Sequence, residues 1–142
     1  MITDDDLVAG FERASLTEFH HAEHVRVSIV YLVRHGREEA LRRLTSGIQR
    51  IAAAGGQPDK FHVTLTRAWL DLIDAARASV PGATDAAALL RACPELLDRT
   101  VLYRCYSREV LDSERARTEW IPPDLRPLEA ALRPAPEYKA PV

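Results

Sequence analysis

The sequence predicts an all-α protein, a small single-domain helical bundle built on three long helices and closed by a Pro-rich C-terminal strap. Three observations carry that prediction. Apolar residues recur three or four apart, as at Leu41, Leu44, Ile48 and Ile51. Capping signatures (Thr3 with Asp6, Ser15 with Glu18, Thr84 with Asp85) stand before such stretches, and Gly36, Gly55-Gly56 and Pro81-Gly82 stand after them. The chain has 142 residues, 46% hydrophobic and 28% charged, which suits one domain able to bury a core without disulfide staples.

Taken in order, the first helix runs from residue 4 to about 14 and the second from about 17 to 35, where Gly36 ends it. A third spans 37 to about 54. Pro58 delays the fourth, placed from about 59 to about 79. A shorter helix follows the Thr84-Asp85 cap through residue 92, and Pro94 ends or kinks it. Residues 99–106 combine β-branched and aromatic side chains and fit a strand or a helix equally. Residues 113–120 read as helical. From Ile121 onward six prolines exclude regular structure, and Trp120, Leu125 and Leu128 are the expected anchors of the strap. The domain is placed at 1–132, with 133–142 as a disordered tail.

Composition excludes several classes. The net charge is -2, so no basic surface points to nucleic acid. No apolar run approaches the ~20 residues of a membrane helix. Asp4-Asp5-Asp6 opens the chain with acid, unlike a signal peptide, which predicts a cytoplasmic protein. Cys93 and Cys105 lack the C-x-x-C spacing of a zinc or redox motif and are expected to be free thiols. No nucleophile elbow, P-loop or dinucleotide fingerprint occurs.

The distinctive feature is histidine. Four of the five histidines (His20, His21, His24 and His35) fall in the second predicted helix, and His62 falls near the start of the fourth. His21 and His24 are three apart and share a helical face; His20 and His24, four apart, form the other pair. The middle of the second helix is apolar on most sides, so part of the histidine stripe is expected inside. His62 falls beneath Thr66 and Trp69 at helical spacing and points inward. Three imidazoles converging in a bundle suit one transition-metal ion with an open position, and copper, iron or zinc all accept such a set. The competing reading makes these histidines structural, hydrogen-bonded to carbonyls or carboxylates. Glu23, Arg26 and Tyr31 are the candidate catalytic groups. Glu23 would be a fourth ligand, orient an imidazole, act as base or stay a surface carboxylate, Arg26 would hold an anionic substrate or pair with Glu23, and Tyr31 would donate to a substrate or lie in the core.

Three segments also resemble a group of small bacterial helical proteins: Phe19-x-His21-x-x-His24-Val25-Arg26; Phe61-His62-Val63-Thr64-Leu65-Thr66-Arg67; and Tyr106-Ser107 through Trp120-x-Pro122-Pro123-Asp124-Leu125-x-Pro127-Leu128. The resemblance covers most of the chain to about Leu128. It implies that His21, Glu23, His24, Arg26, His62, Thr64 and Thr66 are positions of interest, and it favours His21 over His20. Val63 stands where the pattern has a polar residue, often glutamate.

The expected function is therefore a metal-dependent enzyme acting on a small molecule, with His21, His24 and His62 as ligands and redox chemistry preferred to hydrolysis. The alternative is a non-catalytic helical interaction module with structural histidines. No nucleic-acid or membrane partner is expected, and a homo-oligomer is left open.

Overall fold

The computed structural model describes residues 2–132; the tail expected over 133–142 lies outside the described residues. Those residues form seven α-helices and short 3₁₀ turns, with no strand among them, in one all-α domain. None of the helices is long and apolar enough to cross a membrane.

Helix α1, Asp4–Glu12, starts where Thr3 accepts the Asp6 backbone N–H at 3.1 Å and sets three acids at its positive end. It stops earlier than expected. Ala14 takes a left-handed conformation (φ 53°), and the Ser15 N–H folds back to the Gly10 carbonyl at 2.9 Å. Helix α2, His21–His35, begins later than the sequence suggests, because Glu23 accepts the His20 backbone N–H at 2.7 Å and closes the first turn there. Gly36 joins α2 to α3, Arg37–Ala54, at φ 81°. That left-handed backbone favours glycine, and it lets one residue end a helix and open the next.

The fourth helix also starts late. A 3₁₀ turn occupies Pro58–Lys60, Phe61 and His62 are extended, and α4 runs Val63–Ser79. Asp85 caps α5, Ala86–Ala92, by accepting the Ala88 N–H at 2.8 Å. The ambiguous stretch after residue 98 resolves into a 3₁₀ turn, Val101–Arg104. Two short helices follow, each capped by a serine: α6, Arg108–Leu111, after Ser107 and α7, Glu114–Thr118, after Ser113. Helix α6 is not anticipated from the sequence. A last 3₁₀ turn at Leu128–Ala131 corrects the expectation of no regular structure beyond residue 121.

Helix α2 lies at the centre, packed against α1, α3 and α4. Its middle, Val25 and Val27 through Leu32, is buried, as its all-round apolar pattern requires. Phe11 of α1 fits against α3 at Gly47, so closely that a Cβ there would lie 2.2 Å from the ring. The segment after α7 crosses α4 and is held largely by polar bonds. Thr64 donates to the Glu119 carbonyl (2.8 Å) and accepts the Ile121 N–H (3.0 Å). Tyr106 donates to the Ile121 carbonyl at 2.6 Å, and the Leu125 N–H reaches the Cys105 carbonyl at 2.8 Å. The Arg67 guanidinium stacks on Trp120 at 4.0 Å. Trp120 and Leu128 pack on the core as expected, but Leu125 is 56% exposed and its side chain does not join the core.

Candidate metal site at the start of α2

His21 is the first residue of α2, and His24 follows one turn later. The His21 ring lies edge-on to Trp69 of α4, with centroids 4.4 Å apart, and its Nε2 makes a 2.9 Å bond to the Leu96 carbonyl. A carbonyl only accepts, so Nε2 carries the hydrogen and Nδ1 keeps the lone pair. Burial lowers the His21 pKa, with the Leu96 bond acting against it. Sequence reasoning gave no sign of the Leu96 carbonyl, which comes from the 3₁₀ turn after α5.

The His24 ring stands 6.3 Å from that of His21 and 6.1 Å from Phe19, centroid to centroid. Its Nε2 is sealed from solvent and makes no hydrogen bond. Burial, and secondarily the neighbouring His21, pushes its pKa down to about 4, so the ring is neutral at physiological pH. A buried polar atom without a partner is costly and uncommon in native folds.

His62 is not brought to this pair as a ligand. It is the N-cap residue of α4, not a member of the helix, and its ring turns onto the backbone. Nδ1 accepts the Leu65 N–H at 3.0 Å, and Nε2 donates to the Leu111 carbonyl at 3.1 Å. Both nitrogens are therefore occupied in the neutral ring. Among the described residues no three His, Cys, Asp or Glu side chains stand together as a metal site would need. The expected three-histidine set is not assembled among the described residues, where backbone groups take both ring nitrogens of His62.

The three candidate catalytic groups are engaged elsewhere. Glu23 closes the α2 cap. Arg26 pairs with Asp4 through Nε at 2.7 Å and donates to the Ile2 carbonyl at 2.6 Å, tying α2 to α1 and not to Glu23. Tyr31 is buried and donates to the Glu12 carboxylate at 2.7 Å; burial and that bond raise its pKa. His20 precedes the helix, and His35 closes it, with its ring 5.8 Å from Tyr31. Thr66 donates to the His62 carbonyl at 2.7 Å, and Thr64 joins the C-terminal segment to α4, so both act in the framework.

A second concave feature follows α4 on another side. Arg37 holds Asp71 with two bonds (2.7 and 3.2 Å), and Arg67, Asp74 and Glu129 line the same groove. It continues past Arg77 to Val33, which is 45% exposed.

No protein family, curated protein or solved structure compared with this chain matches it.

Proposed function

We propose that this chain is a small metal-binding helical protein that holds one ion between His21 and His24, with His62 outside the site. The single observation behind this reading is the sealed, unpartnered Nε2 of His24 one helical turn from an imidazole whose tautomer leaves a free lone pair. Metal-bound histidines characteristically donate their other ring N–H to a backbone carbonyl, the bond His21 makes to Leu96. Two neutral nitrogen donors suit copper, zinc or iron. A cytoplasmic setting agrees with buried, unpaired Cys93 and Cys105.

Oxygen activation or another redox reaction on a small molecule would need further groups at the ion. Glu23, Arg26 and Tyr31 are already committed to the cap, to α1 and to Glu12, so the reading favours holding an ion over transforming a substrate. The test is metal analysis of the purified chain after loading and dialysis, beside a His21→Ala, His24→Ala double variant. One equivalent that disappears in the variant supports the reading; no retained ion, or equal retention by both, overturns it.

A second reading is a non-catalytic interaction module. The groove beside α4 favours it, since Arg37 and Arg67 face Asp71, Asp74 and Glu129 and offer both signs of charge to an extended polypeptide. Photo-crosslinking from position 78 in cells tests it: an adduct abolished by the Asp74→Lys, Arg77→Glu variant supports it, and crosslinking that ignores the reversal removes it.

A further inference from the structure

We infer that the ion for which His21 and His24 are built is a soft monovalent one, cuprous copper, held by two nitrogens in a near-linear arrangement. This rests on the proposed site and adds the class of ion and its coordination.

The spacing of the rings matches what two-coordination would need. An imidazole nitrogen binds a metal at about 2.0 Å, so two rings sharing an ion on a straight line have centroids roughly 6 Å apart. The same rings at a tetrahedral angle come to roughly 5 Å. The observed separation is 6.3 Å. A linear pair of neutral donors is the habit of filled-shell monovalent ions, whereas zinc collects four ligands.

Charge points the same way. Among the described residues no carboxylate or thiolate completes a three-donor set with the two rings. A ligating imidazole brings no negative charge, so the ion's charge would stay uncompensated beside Trp69 and Phe19. The solvation cost of a buried ion rises with the square of its charge, so a divalent ion pays about four times the penalty of a monovalent one.

The experiment uses the full chain and two probes: cuprous ion under anaerobic conditions, set against a cuprous chelator, and silver(I) as its redox-inert analogue. Nitrogen NMR of the unsubstituted chain reads the site directly. Silver should shift His21 Nδ1 and His24 Nε2, saturate at one equivalent, and leave His62 unmoved. Separate His21→Gln and His24→Gln variants should each weaken cuprous binding roughly a hundredfold or more, while His20→Ala should leave it unchanged. Zinc or cobalt(II) binding at the same two rings more tightly than silver would overturn the inference and leave the proposed site standing. No shift with any ion, or silver shifting His62 or His35 instead, would sink both. Should a variant fail to fold, the shifts in the unsubstituted chain still decide the matter.

Discussion

His62 closes the first turn of α4 by accepting the Leu65 backbone N–H at Nδ1, 3.0 Å away, while its Nε2 donates to Leu111. An imidazole can accept at Nδ1 only while that nitrogen is unprotonated. Burial lowers the His62 pKa from 6.5, with the Leu111 bond opposing it. The unfolded chain therefore takes up a proton before the folded one does. The stabilisation is complete above pH 6.5 and declines as the pH falls through 6.5 towards the lower folded value. His21 and His24 act in the same direction in the metal-free chain. The share due to His62 is isolated by His62→Asn, which keeps a good capping side chain without a titrating ring. Urea unfolding from pH 7.5 to 5 should show a shallower loss in the variant. Identical pH profiles would remove the cap from the explanation.

Thr64 ties α4 to the C-terminal segment with one hydroxyl that both donates and accepts. Thr64→Val keeps the shape and orphans the Glu119 carbonyl and the Ile121 N–H. The expected loss is roughly 2 kcal/mol, with Thr64→Ser recovering most of it. Hydrogen exchange at the Ile121 amide should quicken in the valine variant; an amide as protected as before would show that other contacts hold the segment.

The residues of the three motif segments have structural roles in this fold. His62, Thr64, Thr66, Arg67, Tyr106 and Trp120 are bound to one another's neighbourhoods, through the Ile121 backbone, the His62 carbonyl and the Arg67–Trp120 stack. Helix faces and glycine stops are readable from local sequence, which is why α3 runs from Gly36 to Gly55 as expected. The start of α4 is not, because histidine is no usual N-cap residue and nothing local marks His62 as one. That shift of one turn makes His62 the N-cap of α4, with both ring nitrogens on backbone groups. Nor can residue spacing reveal a carbonyl such as Leu96 or Leu111 as the partner of a ring, since every residue carries one. The His21 and His24 pairing is readable because both lie within a single helical turn.

Gly47 shows how tightly α1 seats on α3. A methyl group there would fall 2.2 and 2.3 Å from Phe11 ring carbons, and Phe11 is fully buried. A ring buried on all sides yields only by disturbing its neighbours, so Gly47→Ala should destabilise by about 1–3 kcal/mol despite alanine's higher helix propensity. Pairing it with Phe11→Leu should recover part of the loss. A thermal midpoint unchanged by Gly47→Ala would mean that α1 moves off without cost.

Tyr31 separates a structural role from a chemical one. Its hydroxyl donates to Glu12 at 2.7 Å, and Arg43 stands 3.7 Å from the same carboxylate oxygen. Tyr31→Phe leaves the ring packed against Phe11 and removes only the hydroxyl. Glu12 is partly exposed and retains Arg43, so water replaces the lost donor, and the cost should be about 1 kcal/mol. If Tyr31 served the metal site instead, the variant would alter ion affinity. Equilibrium unfolding and silver titration of the same variant distinguish the two. The expected result is a modest loss of stability with unchanged affinity; weakened silver binding at unchanged stability would place Tyr31 at the ion.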